Sequence, residues 1–168
     1  AHDKDFLNLF AYTGSFTVYA AAGGARSTTT VDTSATYLEW AEENLRRNGL
    51  LGPKHEFVRM DAFEFLERTT GVYDLCVVDP PTRSVNRSSG RTFVVQADHV
   101  PLLERVLSRM RPGGVVYFST NYRSFVLDEE TLRRRYRVDI EEISKKTIPP
   151  DFRRKPSHRA WRIVVPTR

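Results

Sequence analysis

Short runs of β-branched and aromatic residues alternate along this chain with stretches of helical periodicity. Runs typical of strands occupy residues 6–10, 27–31, 56–59, 74–78, 115–119, 138–143 and 160–165. Stretches that predict helices occupy residues 15–22, 61–68, 93–110 and 128–135, and another begins at Thr33 or Ser34 and ends before Gly49. This alternation predicts an α/β fold in which helices cover both faces of a mostly parallel sheet.

Three local features modify this pattern. Pro101 lies inside the helical stretch 93–110, where it is expected to kink the helix or to mark a helix start. The segments "TRSVNRSSGRT" (residues 82–92) and "TIPPDFRRKPSH" (residues 147–158) are polar and rich in arginine, and both contain glycine or proline. They are therefore predicted to be mobile loops.

Length and composition fit one intracellular domain. A chain of 168 residues buries roughly 70% of the surface that it exposes when unfolded, so a full hydrophobic core is available. The single cysteine, Cys76, lies in an apolar run and is expected to be a buried hydrophobic residue in a reducing, cytoplasmic setting. The sequence shows no signal peptide, no membrane span and no metal-ligand spacing, and its start without methionine suggests a fragment of a longer protein.

Charge is distributed unevenly between the two halves of the chain. Residues 1–80 contain 7 Lys and Arg against 12 Asp and Glu, whereas residues 81–168 contain 19 against 9. An arginine-rich half is expected where a protein binds a phosphate-rich partner such as a nucleic acid. An ordinary solvated surface is the alternative reading of the same charges.

Acidic residues or glycine follow each of the first predicted strands. The first strand leads into "FAYTGSF", where Gly14 permits close backbone approach to a ligand and the next helix offers free N–H groups. Asp32, Asp61 and Asp79 end the next three strands. Because the carboxyl ends of parallel strands meet at one edge of the sheet, these residues predict a ligand site there.

An edge of this kind could bind a dinucleotide or S-adenosylmethionine. A dinucleotide requires a G-x-G-x-x-G turn, and "AYTGSF" has a single glycine. S-adenosylmethionine carries no phosphate and presents a ribose diol, an amino group and two positive centres to carboxylates. Asp32, 18 residues beyond Gly14, has the spacing of an acid that binds ribose hydroxyls. The acidic first half therefore favours S-adenosylmethionine.

Five segments carry a family resemblance: "FLNLFAYTGSF", "GGARSTTTVDTSATYLEWAEENLRRNGL", "DLCVVDPPT", "FSTNYRSF" and "IPPDFRRKPSHRAW". Over nearly the whole chain they resemble the guanine-N7 methyltransferase domain of the bacterial RlmKL family of 23S ribosomal RNA methyltransferases. The resemblance implies a class I, Rossmann-like three-layer sandwich. Its seven-stranded sheet is mostly parallel, with the last strand antiparallel between the fifth and the sixth. Residues 1–168 would then be one catalytic domain beside other domains of a parent chain.

The resemblance also implies roles for individual residues. Cofactor-binding residues are Tyr12, Thr13, Gly14, Asp32 at the ribose, Thr33, Asp61 and Ala62 at the adenine, and Asp79. Asp79, Pro80 and Pro81 are expected beside the transferable methyl group. Prolines end the strand and stiffen the loop, so Asp79 is held in a fixed place. Members of the family usually have phenylalanine where this chain has Arg83, whose guanidinium plane can also stack on a base.

A basic mouth is predicted around the methyl group. Its members come from loops that are expected at the same edge of the sheet: Arg83, Arg87, Arg91, Arg123, Arg153, Arg154 and Lys155. Asn121, near Arg123, is also expected to contact the RNA. Contacts from these side chains to phosphates would position RNA without reading its sequence. The family resemblance implies 23S ribosomal RNA and the remaining domains of the parent chain as partners.

Other substrates and another class of protein remain open at this stage. Guanine-N2 or adenine-N6 transfer uses similar proline-rich loops. Cytosine-C5 transfer needs a thiolate, and no cysteine follows the fifth strand. His158 belongs to no triad or metal spacing and is expected to be a loop or packing residue. A catalytically inactive RNA-binding module is the alternative of another class, although three carboxylates would repel its phosphates.

Overall fold

The computed structural model describes residues 1–85, 90, 92–148 and 158–167. The strands are β1 (Asp5–Leu9), β2 (Ser27–Asp32), β3 (His55–Arg59), β4 (Tyr73–Val78), β5 (Arg83–Val85), β6 (Thr92–Val94), β7 (Met110–Thr120), β8 (Asp139–Glu142) and β9 (Arg159–Val164). The helices are α1 (Ser15–Ala22), α2 (Ala35–Arg47), α3 (Ala62–Arg68), α4 (Val95–Leu107), α5 (Glu129–Tyr136) and α6 (Ser144–Thr147). Every element predicted from the sequence is present; α1 has the predicted ends, and the ends of the others are shifted.

The described residues form a seven-stranded sheet in the order β3-β2-β1-β4-β7-β9-β8. Pairing is parallel from β3 through β7, whereas β9 runs antiparallel to both of its neighbours, β7 and β8. The last strand therefore lies between the fifth and the sixth strands of the main sheet, as the family resemblance implied. The strand order reverses between β1 and β4, with β2 and β3 on one side and β7 on the other, and this switch point places a ligand crevice at the carboxyl ends of β1 and β4.

Side chains of β1 alternate between two hydrophobic clusters because successive residues of a strand face opposite sides of the sheet. Leu7 and Leu9 belong to the large cluster that α3, α4 and α5 cover. Phe6 packs with Ala20 of α1 on the other face. Helices on both faces give the expected three-layer α/β sandwich.

Side-chain caps determine where three of the helices begin. Ser34 Oγ accepts the Tyr37 N–H at 3.3 Å, and Asp128 Oδ1 accepts the Thr131 N–H at 3.0 Å. Asp61 caps α3 in the same way. Each cap satisfies a backbone N–H that lacks a partner inside its helix. Because α2 and α3 follow β2 and β3 directly, these caps also fix the acidic strand ends.

The segment predicted as a loop at residues 82–92 contains structure that the sequence did not indicate. Arg83–Val85 and Thr92–Val94 pair as an antiparallel hairpin. Three-residue strands are too short for a periodicity signal, and the polar residues between them resemble a loop. For the same reason the helix predicted from residue 93 begins later, at Val95, where the Asp98 side chain accepts the Val94 N–H. Pro101 lies inside this helix and does not start it.

Across the described parts of the chain, no helix combines the length and apolar character that a membrane crossing requires.

Candidate active site

A cleft of about 950 Å³ opens at the carboxyl ends of the central strands. It is lined by these residues among those predicted to bind the cofactor or act in catalysis: Tyr12, Asp32, Thr33, Asp61, Ala62, Asp79, Pro80 and Pro81. Phe10, Val31 and Met60 add apolar walls on the same side. The structure thus brings the three strand-end carboxylates around one cavity.

The loop from β1 to α1 borders this cleft in an uncommon backbone conformation. Phe10 and Tyr12 both adopt left-handed angles, with φ of 57° and 49°. Residues other than glycine keep such angles only where their surroundings hold them. Here the Tyr12 N–H donates to Asp32 Oδ2 at 3.0 Å. Asp32 therefore fixes the β1–α1 loop, which covers part of the cleft that Asp32 itself lines.

Thr13 and Gly14 lie outside the set of described residues that line the cleft. Asn44 Nδ2 of α2 donates to the Thr13 carbonyl at 2.9 Å. Gly14 has a φ of +72°, and a Cβ at this position would lie 2.5 Å from Ala41 Cβ. Glycine is therefore required where α1 and α2 approach each other. These two residues hold the loop against α2, and Tyr12 presents it to the cavity.

Asp32 is fixed through both of its carboxylate oxygens. Oδ2 accepts the Tyr12 N–H, and Oδ1 accepts the Ser34 N–H at 2.9 Å. A carboxylate oxygen has two lone pairs, so each oxygen retains acceptor capacity toward the cleft. This arrangement suits two adjacent hydroxyl donors, such as the 2′ and 3′ hydroxyls of a ribose.

Asp61 combines a capping role with its position in the cleft. Its Oδ1 accepts the Phe63 N–H at 2.9 Å and the Glu64 N–H at 3.4 Å, which fixes the carboxylate at the start of α3. Within the described residues Oδ2 has no hydrogen-bond partner. An oriented acceptor beside the apolar wall of Met60 suits the amino group and ring of an adenine.

Asp79 and the proline pair form a segment that is connected at both ends to the end of β7. Ser119 Oγ donates to Asp79 Oδ1 at 2.7 Å. Thr82 Oγ1 donates to Asn121 Oδ1, also at 2.7 Å. Between the two bonds lie Pro80 and Pro81, whose rings fix φ. The loop is thus held in one position relative to the neighbouring strand.

Sequence reasoning missed several residues that line the cavity. Tyr37 packs edge-on against Tyr12, with ring centroids 4.6 Å apart. Trp40, which lies outside the cavity lining, adds a third ring, with its centroid 6.0 Å from that of Tyr37. Ser119 and Tyr117 line the side that β7 contributes. Tyr117 and Ser119 reach the cavity because β7 lies beside β4, and Tyr37 reaches it because α2 packs beside the β1–α1 loop. No local sequence motif marks either arrangement.

The predicted RNA-binding residues are divided by the structure. Asn121 lines the cleft, whereas Arg83 and Arg123 are exposed and lie outside its lining. The remaining candidates, Arg87, Arg91, Arg153, Arg154 and Lys155, lie outside the described residues.

His158 and Cys76 differ in their access to the site. His158 lines the cleft and its Nε2 lies 2.8 Å from Thr147 Oγ1. Cys76 is fully buried, and burial raises the pKa of its thiol. The only cysteine of the chain is therefore held as an inert thiol inside β4. No group of acidic, histidine or cysteine side chains within the described residues is arranged to hold a metal ion.

Similarity to known proteins agrees with this geometry. The chain is 49% identical over 165 residues to a protein of Syntrophotalea carbinolica named ribosomal RNA large subunit methyltransferase K/L. A Pseudomonas aeruginosa protein of the same name is 52% identical over 166 residues. Each alignment covers 98% of this chain, which spans 23% and 22% of the lengths of these relatives, respectively.

Solved structures have the same fold. The crystal structure of a methyltransferase complexed with SAH aligns over 98% of this chain and 46% of its own, with a TM-score of 0.83 and 26% identity. An S-adenosylmethionine-dependent methyltransferase from Streptococcus mutans aligns with a TM-score of 0.80, also at 26% identity, over 98% of this chain and 45% of its own. The family model described as S-adenosylmethionine-dependent methyltransferase matches residues 1–157. Fold, cleft and similarity agree, and the chain belongs to the S-adenosylmethionine-dependent methyltransferase family.

Proposed function

We propose that this chain is the catalytic domain of a 23S ribosomal RNA methyltransferase that transfers a methyl group to guanine N7. The observation that carries the proposal is the position of Asp79 and its two prolines, which line the cofactor cleft and are connected to β7 on both sides. The names of the two relatives support ribosomal RNA as the substrate.

The residues present in the cleft fit S-adenosylmethionine. Asp32 offers acceptors to the ribose diol, and Asp61 Oδ2 offers one to the adenine amino group beside the apolar walls. Asp79 supplies negative charge near the positive end of the cofactor. When bound, the cofactor supplies an electrophilic methyl group on its sulfonium.

Guanine N7 has a lone pair and carries no proton, so its methylation requires no general base. Positioning is then the main contribution of the protein, and well-oriented reactants gain up to about 7–11 kcal/mol. Rigid prolines and a carboxylate held by Ser119 serve this purpose. A guanosine in a duplex would have to leave its stack to enter the cleft.

The state of Cys76 disfavours cytosine-C5 transfer. That reaction proceeds through a thiolate adduct, and this thiol is buried inside a strand. Ser119 and Thr120 end β7, the fifth strand of the main sheet along the chain, and Asn121 follows it. The related cytosine enzymes carry the nucleophile at this place. Guanine-N2 and adenine-N6 products are distinguished from 7-methylguanosine by their mass-spectrometric fragmentation and retention.

RNA would approach over the arginine-rich residues that follow Asp79. Arg83 and Arg123 are exposed next to segments that line the cleft. Because the chain spans under a quarter of its relatives, we propose that other domains of a longer cytoplasmic protein share in binding the RNA.

Nucleoside analysis tests the proposal. The purified protein is incubated with unmodified 23S ribosomal RNA and labelled S-adenosylmethionine, and the digested RNA is examined by mass spectrometry. We expect labelled 7-methylguanosine from the parent and none above background from Asp79→Ala, with equal thermal stability. Label in another nucleoside, or in none, would overturn the assignment to guanine N7.

A further inference from the structure

The side-chain amide of Asn121 borders the cleft and is held in a fixed orientation. It follows the end of β7, two positions after Ser119, and lines the cavity. Its Oδ1 accepts the Thr82 hydroxyl at 2.7 Å. Thr82 is itself held, because its carbonyl accepts the Val95 N–H at 3.1 Å. The oxygen of the amide is therefore committed to the Asp-Pro-Pro-Thr loop.

The nitrogen of the same amide remains as a donor. Within the described residues Asn121 Nδ2 has no hydrogen-bond partner. An amide nitrogen carries two donor hydrogens and no acceptor capacity. Asp79, by contrast, offers acceptors only, and its Oδ2 is likewise without a partner among the described residues. The two bonds to β7 thus hold one donor and one acceptor beside the proline pair.

This pairing of groups discriminates between purines. Next to N7, guanine presents the O6 acceptor, whereas adenine presents the N6 amino donor. A fixed donor beside the reacting nitrogen binds the first and opposes the second. We propose that Asn121 Nδ2 donates to O6 of the target guanine and so selects a 6-oxopurine over a 6-aminopurine. This assignment rests on the proposed function, since it requires guanine N7 as the methyl acceptor.

Asn121→Asp tests the donor separately from the structural contact. The substitution keeps an oxygen for the Thr82 hydroxyl and replaces the NH2 group with a second acceptor of nearly the same shape. We expect kcat/KM for the RNA to fall at least about tenfold, because a donor is lost and an anion faces O6. Cofactor affinity and melting temperature should stay at the parental values. Thr82→Val is the matched control, because it removes the contact and keeps the amide; we expect it to lose less activity.

A second experiment uses a modified RNA. A short RNA carries either guanosine or 2-aminopurine, which keeps N7 and lacks O6, at the position found to be methylated. The parent should lose activity on 2-aminopurine by about the same factor as Asn121→Ala loses on guanosine, and Asn121→Ala should show no further loss on 2-aminopurine. Asn121→Asp should lose more than Asn121→Ala on guanosine, because its anion faces O6, and this excess should vanish on 2-aminopurine.

The outcomes separate the two proposals. If the parent forms 7-methylguanosine and Asn121→Asp matches its activity on guanosine, the role of Asn121 is overturned and the function stands. If the parent forms no 7-methylguanosine, both fall. A parent that uses 2-aminopurine as well as guanosine also overturns recognition of O6.

Discussion

Ser119 Oγ donates a hydrogen bond to Asp79 Oδ1 at 2.7 Å, across the boundary between two neighbouring parallel strands. The register explains the contact, because Val78 pairs with Phe118 and the next residue of each strand follows at the same level. Ser119 therefore sets the direction in which the remaining oxygen of Asp79 faces the cleft. Under the proposed function Ser119 is a positioning residue, since it would act on the reaction through the carboxylate.

Ser119→Ala should lower kcat for methyl transfer while the KM for RNA changes little. A hydrogen bond to a charged group contributes about 1.5–3 kcal/mol, which corresponds to a loss of roughly 10- to 100-fold. Initial rates at saturating cofactor measure the effect. Ser119→Thr keeps the hydroxyl and should restore most of the rate; an equal loss in both variants would mean that packing at this position, not the bond, matters.

Asp32→Ala should weaken S-adenosylmethionine binding by about 1.5–3 kcal/mol, because the ribose diol loses a charged acceptor. Titration calorimetry measures this change. Asp32→Asn is the control, since its amide oxygen still accepts one of the Tyr12 and Ser34 N–H groups, whereas its NH2 group opposes the other. Unchanged affinity in Asp32→Ala would show that the cofactor ribose lies elsewhere.

Gly14→Ala should destabilise the fold more than Gly49→Ala. Both glycines have positive φ, +72° and +66°, so both substitutions carry a backbone cost of about 1–2 kcal/mol. Only at Gly14 would the new Cβ meet Ala41, at 2.5 Å, whereas nothing lies within 4 Å at Gly49. Urea unfolding of both variants isolates the cost of the contact between α1 and α2. Equal losses would show that the helices separate freely.

Burial of histidines should make the fold less stable in acid. Burial lowers the pKa of His99, whose Nδ1 lies 2.9 Å from the Gln96 carbonyl and whose Nε2 accepts the Asp128 N–H at 3.1 Å. Burial also lowers the pKa of His55. The unfolded chain then binds more protons than the folded one below the ordinary histidine pKa of about 6.5, so stability falls as pH drops through that value.

Urea unfolding at a series of pH values measures this dependence. Asp98 and Asp128 oppose the effect of burial at His99, since their charges favour the protonated ring. His99→Gln should reduce the slope between neutral and mildly acidic pH and leave the part due to His55. An unchanged slope would show that the pKa of His99 is the same in the folded and the unfolded protein.

A structural feature can be predicted from the sequence when the interactions that form it join residues close together along the chain. The strands of the main sheet and the capped helices were predictable because each depends on neighbouring residues, as at Ser34 and Asp61. The hairpin of β5 and β6 was not, because pairing rather than composition stabilises strands this short. The acidic strand ends were predictable from their order along the chain.

The details of the site depend on contacts between distant segments. Gly14 follows the pattern of a ligand-binding loop, yet its structural constraint comes from Ala41 of another helix. Ser119 and Tyr37 reach the cleft through the arrangement of strands and through packing, and no local motif marks them. Sequence order thus predicts which edge of the sheet holds the site, whereas the tertiary contacts determine which atoms face the ligand.

Replacing Arg153, Arg154 and Lys155 with alanine should weaken RNA binding and leave cofactor affinity unchanged. Cations that neutralise phosphates release counterions, so the slope of log affinity against log salt should flatten by up to about three.

The control replaces Arg46, Arg47 and Arg68, which form exposed ion pairs with Glu42, Glu43 and Glu64 near the ends of α2 and α3. These helices run back toward the amino ends of the strands, away from the cleft, and the substitution removes the same charge. Filter binding of ribosomal RNA fragments at several salt concentrations compares both triple variants with the parent. Equal slopes in the two variants would mean that total charge, and not a basic mouth at the cleft, attracts the RNA.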